Sequence, residues 1–312
     1  MVPAHLKGRD FLRVHDWAPE ELVLVLDWAD RLKARRRERI EHRLLDGRSL
    51  AMIFEKPSTR TRVSFEVGIA QLGGTGLYLA AGDLQLGRGE SIRDTATVLS
   101  RYVDGIMIRT FAQADVDELA EHADVPVING LTDEFHPCQA LADVMTIRER
   151  FGRLEGIRVT YLGDGNNVCH SLMVACAKFG VRFTAATPHG YEPSEEVVGW
   201  ARAAAEDSGG SVELVSDPRA AAEGAAVLYT DVWTSMGQEE ERERRLADLA
   251  GYGIDRAMVA LAGEDAIVLH CLPAHYGEEI TEDVLYGSQS AVWDQAENRL
   301  HAQKSLMALV IR

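Results

Sequence analysis

The chain has 312 residues, 46% hydrophobic and 26% charged, the balance of an ordinary globular protein. At roughly 150 residues per domain this predicts two domains, each large enough for its own core. Lys+Arg number 33 against 49 Asp+Glu, a net charge of −16. That surplus argues against a nucleic-acid partner, and any anionic ligand must be met by a local concentration of Arg or Lys. Cys138, Cys169, Cys176 and Cys271 are widely spaced with no C-x-x-C pair. They form neither a disulfide framework nor a zinc ribbon, and reduced thiols in the cytoplasm are the simplest reading. The N-terminus has no signal-like apolar core, and no run approaches the ~18 apolar residues of a membrane span.

Along the chain, short apolar runs alternate with amphipathic segments. Pro19 opens a helix with Leu22, Val25, Leu26, Ala29 and Leu32 on one face. Its end, Arg35–Arg39, reads as exposed. Strands are predicted at Leu50–Phe54, Leu77–Ala80, Gly105–Ile108 and Val125–Ile128, with helices at Thr59–Leu72 and Ser91–Arg101 between them. A long helix, Pro137–Phe151, leads to a second series of strands: Arg158–Leu162, Arg182–Ala185, Val212–Val215, Ala226–Tyr229 and Ala266–Leu269. The run Glu239–Arg245 reads as a solvated helix face, and Ala291–Ile311 as a last helix. Such alternation predicts an α/β protein of two doubly wound domains with parallel sheets, where ligands bind beyond the carboxyl ends of the strands.

The informative residues fall at those ends. After Phe54 comes Glu55-Lys56-Pro57-Ser58-Thr59-Arg60-Thr61-Arg62. A helix start with several hydroxyls and an Arg is an anion cradle, or simply a capped helix with a basic turn. No Walker motif exists in the chain. Arg109 ends an apolar strand, where a charge is costly unless it is paired. His136 and Gln139 flank Pro137 at the next helix start, placed to donate to a carbonyl oxygen or bind an amide. A structural histidine fits His136 equally.

In the second series, Gly163-Asp164-Gly165-Asn166-Asn167 follows a strand. A dinucleotide-binding reading fails at the third glycine, where Val168 stands, and at the next strand end, which lacks the ribose-binding acid. Asn167 at the helix start can instead bind a carboxylate. Asp231, ending another strand, offers a carboxylate to a cationic ligand or caps the next turn. His270-Cys271-Leu272-Pro273-Ala274-His275 invites a zinc reading, but no further paired ligands are evident, so no metal is expected. A lone buried cysteine is usually packing.

Ser58-Thr59-Arg60-Thr61-Arg62 together with His136-Pro137-x-Gln139 resembles the aspartate/ornithine carbamoyltransferase family. The resemblance covers essentially the whole chain. It implies that Ser58, Thr59, Arg60 and Thr61 hold the phosphate of carbamoyl phosphate, with Arg109, His136 and Gln139 on its carbonyl and amide. Gln85, in Asp83–Ser91, matches a loop that reaches a neighbouring subunit, which implies a homotrimer or an assembly of trimers. His270-Cys271-Leu272-Pro273 is similar to a signature of the family's ornithine branch, placing Cys271 against the attacking δ-amine and the Leu272 carbonyl on the carbamoyl amide. Asp231 with Ser235-Met236-Gly237 resembles that branch's acceptor loop. Arg299 matches an arginine on the carbamoyl carbonyl, so the last helix returns to the first domain.

The expected domains are thus 1–140, completed by 291–312, for carbamoyl phosphate, and 141–290 for ornithine. The implied reaction gives L-citrulline and phosphate from carbamoyl phosphate and L-ornithine, with Arg109, His136, Asp231, Cys271 and Arg299 catalytic. Asn167, Asp231, Ser235, Met236 and Cys271 would hold the acceptor, without cofactor. An aspartate acceptor would need basic residues after Asp231, and there are none before Arg242. Putrescine or N-acetylornithine as acceptor, or a non-catalytic phosphometabolite-binding subunit, are the alternatives. The residues past Ala274 depart from other branches.

Overall fold

The computed structural model describes residues 4–80, 82, 89–234 and 239–312. They divide into two compact units, 1–142 with 298–312, and 143–297. Gln85, Ser235 and Met236 lie outside the described residues.

The first unit holds α1 (Pro19–Arg37), β1 (Ser49–Phe54), α2 (Thr59–Gln71), β2 (Thr75–Ala80), α3 (Ile92–Leu99), β3 (Gly105–Arg109), α4 (Gln113–His122) and β4 (Val127–Leu131). Helix α5 (Pro137–Phe151) then carries the chain into the second unit. All four strands are parallel, in the order β2-β1-β3-β4. The central strands β1 and β3 are buried along nearly their whole length, as continuous apolar runs covered on both faces must be.

The second unit continues with β5 (Arg158–Leu162), α6 (Asn167–Lys178), β6 (Arg182–Ala186), α7 (Glu195–Ser208), β7 (Ser211–Val215), α8 (Pro218–Ala222) and β8 (Val227–Thr230). It ends with α9 (Arg242–Asp248), α10 (Arg256–Ala262), β9 (Ile267–His270) and α11 (Glu282–Leu285). Its five parallel strands run β7-β6-β5-β8-β9. Helix α12 (Val292–Val310) starts in this unit, and from Asn298 onward it belongs to the first. Among the described residues, no helix is long and apolar enough to cross a membrane.

The predicted strands all form, most with bounds moved by one or two residues, and three differences bear on the site. The fourth is shifted: β4 begins after Pro126, which has no N–H to give a ladder, and runs on to Leu131. There Ile108 pairs with Asn129 and Arg109 with Leu131, so Gly130 is the extra residue of a bulge. A Cβ on Gly130 would lie 2.6 Å from Met107 Sδ, so a larger residue there would have to displace that buried side chain. Second, Arg109 is the last residue of its strand rather than the residue after it. Third, Glu239–Arg245 is not wholly solvated. Arg245 is buried, donates from Nε to the Trp233 carbonyl at 2.5 Å, and forms an ion pair with Asp164. The charge count of the segment could not reveal that one guanidinium turns inward.

The C-terminal half of α12 is a core helix of the first unit despite its polar residues. Ser305 donates to the Val25 carbonyl at 2.7 Å, and Lys33 reaches Asn298 Oδ1 at 2.6 Å. Lys304 is fully buried, with Nζ 3.0 Å from His42 Nε2 and 2.8 Å from Gln71 Oε1. Because His42 Nδ1 faces the Ile40 carbonyl at 2.9 Å, Nδ1 carries the proton and Nε2 accepts from the lysine. Burial, and then Arg36, pushes Lys304 down to about 8 from the usual 10.5. The folded state gives up this proton at lower pH than the unfolded chain does, so the group adds stability as pH rises from about 8 to 10.5. Urea denaturation of the protein and of Lys304→Met across that window tests this. The stability of the natural protein relative to the variant should climb with pH; a flat difference would contradict it.

Candidate functional site

In a doubly wound sheet the crevice forms where successive strands are added on opposite sides. In the first unit that switch lies between β1 and β3, since β2 is added on one side and β4 on the other. The segment after β1 and the last residue of β3 are therefore neighbours at one sheet edge, and they are the 55–62 segment and Arg109. The two are joined directly: Glu55 N donates to the Arg109 carbonyl at 2.9 Å, and Thr110 Oγ1 donates to the Glu55 carboxylate. Lys56 is buried against the Phe111 ring, 4.2 Å from its centroid, and pairs with Asp133.

Ser58 is the N-cap of α2, its Oγ accepting from Thr61 N at 3.2 Å. The cap fixes the first turn, so Thr59, Arg60 and Thr61 open the helix with their amides towards the strand end. Thr61 is buried, Arg60 half-buried and Thr59 exposed. At the start of α5, Gln139 N donates to the His136 carbonyl at 3.1 Å, setting the two side chains on one turn. Arg299 on α12 joins these elements. Its Nη1 donates to Gln139 Oε1 at 2.7 Å, its Nη2 to Thr61 Oγ1 at 3.3 Å and its Nε to Gln303 Oε1 at 2.8 Å. Gln303 in turn donates to Ser64 Oγ at 2.8 Å, and Ser64 donates to the Arg60 carbonyl at 2.6 Å.

Cationic groups thus surround the imidazole of His136. Its pKa is held well below the ordinary value, first by burial and then by Arg299, Arg109 and Arg60. The ring is neutral at physiological pH, a donor through one nitrogen only, and the positive charge resides on the three guanidiniums. Cys138, the second residue of α5, is inert: burial pushes its thiol up to about 12, and it donates to the Asn129 carbonyl at 3.3 Å.

In the second unit the switch lies between β5 and β8. The segment after β5 is Gly163–Asn167, and the residue after β8 is Asp231. Asn166, rather than Asn167, is the cap of α6: its Oδ1 accepts from Val168 N at 3.0 Å and Cys169 N at 3.2 Å. Its other end donates from Nδ2 to Asp231 Oδ2 at 2.9 Å, so one side chain fastens both strand ends. Asn167 is the first helical residue, half-buried. A Cβ on Gly165 would run into the backbone of Glu192–Pro193, which accounts for the glycine without a dinucleotide. Asp164, paired with Arg245, is raised to about 6 because burial outweighs the arginine.

Cys271, just after β9, donates from Sγ to Asp231 Oδ1 at 2.7 Å. Asp231 therefore receives Asn166 on one oxygen and Cys271 on the other. Behind it lies a buried scaffold: Tyr161 donates to Asn166 Oδ1 at 3.2 Å and stacks on Tyr229, and Tyr229 donates to Asp143 at 3.2 Å. Gln295 donates to Asp143 at 2.6 Å and accepts from His270 N at 2.9 Å.

Asp231, His270 and Cys271 have donor atoms within 4.8 Å of one another. The imidazole is committed elsewhere, however. His270 Nδ1 accepts from Leu272 N at 2.8 Å, so Nε2 carries the proton, which it gives to Glu279 Oε1 at 3.1 Å. No lone pair of the ring is left for an ion. Leu272, at φ 61°, sits in the left-handed region that a branched residue avoids, and its bond to His270 holds it there. The following Leu272–Pro273 peptide is cis. Leu272 belongs to the second unit, whereas Ser58, Thr59, Arg60, Thr61, Arg109, His136, Gln139 and Arg299 all belong to the first. Asn166 and Glu279 were missed by sequence reasoning. A capping Asn directly after the strand–Gly-x-Gly turn was a readable signal for the first; nothing local marked the second.

Two switch-point crevices, one ringed by arginines and one centred on a carboxylate, define a two-domain α/β carbamoyltransferase. Residues 9–149 match the family model "Aspartate/ornithine carbamoyltransferase, carbamoyl-P binding domain", and 155–310 match "Aspartate/ornithine carbamoyltransferase, Asp/Orn binding domain". The chain belongs to the aspartate/ornithine carbamoyltransferase family. The second match includes the part of α12 that folds with the first unit. The ornithine carbamoyltransferase of Thermococcus kodakarensis is 57% identical over 306 residues, 98% of this chain and 97% of that protein. The anabolic ornithine carbamoyltransferase of Pyrococcus furiosus is 56% identical over 306 residues, 98% of this chain and 97% of that one. A solved structure of ornithine carbamoyltransferase from P. furiosus superposes with a TM-score of 0.96, at 56% identity, over 98% of each chain.

Replacing Asn166 with Ala removes both a helix cap and a donor to Asp231. Stability should fall by about 1–2 kcal/mol, measured by urea denaturation; an unchanged midpoint would contradict the paired role.

Proposed function

We infer that the protein transfers the carbamoyl group of carbamoyl phosphate to the δ-amine of L-ornithine, giving L-citrulline and phosphate. The observation that carries the acceptor is Asp231: a carboxylate at a strand end, held by Asn166 and Cys271, suits a cationic amine and repels an acidic one. The "anabolic" in the P. furiosus relative's name favours the direction towards citrulline.

The first unit takes carbamoyl phosphate. Ser58, Thr59, Arg60 and Thr61 hold the phosphate at the start of α2, where amides and charge favour an anion. Arg109, neutral His136 and Arg299 donate to the carbonyl oxygen, with Gln139 and the Leu272 carbonyl on the carbamoyl amide. The second unit takes ornithine, through Asn167, Asp231 and Cys271, with Ser235 and Met236 on its α-amino and carboxylate groups. Asp231 and Cys271 orient the δ-ammonium, and the Asp231 carboxylate receives its proton on the way to attack. The neutral nitrogen forms a bond to the carbonyl carbon, the oxygen gains charge against the arginines, and the C–O bond to phosphate breaks as phosphate leaves. Ordering the two substrates supplies much of the acceleration.

We also read the protein as a cytoplasmic homotrimer, or an assembly of trimers, with Gln85 crossing to a neighbouring subunit. Free thiols suit that compartment. Apolar side chains on α2 and on the edge strand β2, among them Val63, Val67, Leu77 and Tyr78, are exposed in the single chain and favour association there. Light scattering should give a multiple of three chains, and Val63→Glu should shift it downward; a monomer would refute the reading.

Assay of ornithine, putrescine, N-acetylornithine and aspartate in parallel tests the acceptor. Ornithine alone should turn over appreciably, and equal rates with putrescine would move the assignment. Arg60→Gly should lower kcat on the order of 10²-fold or more and raise KM for carbamoyl phosphate, whereas Cys271→Ser should raise KM for ornithine. Full citrulline synthesis with unchanged affinities in either variant refutes that residue's role. Since His136 stays neutral, the pH–rate profile should show no break from it near its ordinary value of about 6.5.

A further inference from the structure

Beyond Pro273 the chain makes a tight turn that the reaction does not use. Glu278 N donates to the His275 carbonyl at 3.1 Å, Gly277 N to the Ile280 carbonyl at 3.0 Å, and Ile254 N to the Glu279 carbonyl at 2.9 Å. These bonds fold His275, Glu278 and Glu279 onto one another. His275 Nδ1 lies 3.9 Å from Glu278 Oε2 and 3.9 Å from Glu279 Oε2, and the three residues bring one donor atom each within 4.8 Å of one another.

The state of the two carboxylates distinguishes this cluster from a chance surface group. The Glu279 side chain is 0% exposed. Its Oε1 is saturated, accepting from His270 Nε2 at 3.1 Å and His275 N at 2.6 Å. Its Oε2 is buried and has no hydrogen-bond partner among the described residues. Glu278 repeats the pattern: Oε1 pairs with Arg242, and buried Oε2 has no such partner. Two buried carboxylate oxygens facing one imidazole nitrogen are costly unless something positive is bound there. Arg242 is engaged on the far oxygen of Glu278, and His275 Nδ1, 3.9 Å from both oxygens, is beyond hydrogen-bond reach of either.

We propose that His275 Nδ1, Glu278 Oε2 and Glu279 Oε2 form a binding site for a divalent transition-metal ion of the zinc type. One imidazole nitrogen and two carboxylate oxygens suit such an ion better than calcium or magnesium, which favour all-oxygen shells. Tetrahedral ligands at the usual ~2.1 Å stand about 3.4 Å apart, so the two 3.9 Å spacings of His275 Nδ1 need contract by only about 0.5 Å. His275 is 47% exposed, which leaves a side open for water and for entry of the ion. Glu279 also holds His270, and His270 holds Leu272, so the ion tethers the carboxylate behind the Cys271–Leu272 segment.

Titration of the full-length, tag-free protein in a Cys271→Ser background, which removes the nearby thiol, tests the site. Zn2+ is followed by calorimetry, and Co2+ by its visible absorption. One ion per chain should bind, without sulfur-to-cobalt charge transfer, and His275→Ala and Glu278→Gln should each weaken it by roughly tenfold or more. His275 is half exposed, so its variant leaves the fold intact. Absence of stoichiometric binding, or undiminished affinity in either variant, would overturn the proposal.

Discussion

The first unit depends on one guanidinium. Arg299 places its three nitrogens on Gln303, Gln139 and Thr61, and so ties α12 to the starts of α5 and α2. A planar fork with fixed donors is the side chain that meets three such partners at once; a lysine at the same place offers one point charge. The buried charge is tolerable because its neighbours are polar and satisfied, down to Ser64 and the Arg60 carbonyl. Burial first, and then this charge with those of Arg109 and Arg60, keeps His136 neutral. Packing, helix placement and part of the local electrostatics therefore meet in one side chain.

The second unit solves a complementary problem. A carboxylate exposed to a crevice must be fixed without being neutralised, and Asp231 is held by two uncharged donors, Asn166 and Cys271. Neither supplies a counter-charge, so attraction for a cation survives. Tyr161, Tyr229, Asp143 and Gln295 stiffen the elements behind it by hydrogen bonds and stacking.

Much of this was legible in the sequence. Apolar runs marked every strand of both sheets, and helix α5 was bounded correctly because Pro137 opens it and Gly152 follows its last residue. Strand ends pointed to Arg60, Arg109 and Asp231 by the physics of open sheets alone, and family resemblance supplied Arg299 and Leu272. Less visible was anything resting on a tertiary partner. Arg245 stands in a run of seven charges, and tertiary partners, the carbonyl of Trp233, the carboxylate of Asp164 and the ring of Tyr191, explain its burial. The bulge at Gly130 sets Arg109 opposite Leu131, a register that no local pattern encodes. Asn166 and Asn167 are adjacent and chemically identical; helix geometry alone assigns the cap to the first.

Helices α5 and α12 each cross between the units, at 142–143 and 297–298, so the second unit is in effect an insertion within the first. On a ribosome this imposes an order of assembly. The five-stranded unit is fully synthesised, and free to fold, while its four-stranded companion still lacks Arg299, the apolar end of α12 and the following Ile311, which packs against Gly105. The half of the molecule that begins first is thus finished last. Until the segment from Asn298 onward emerges, the starts of α2 and α5 lack the guanidinium that ties them together.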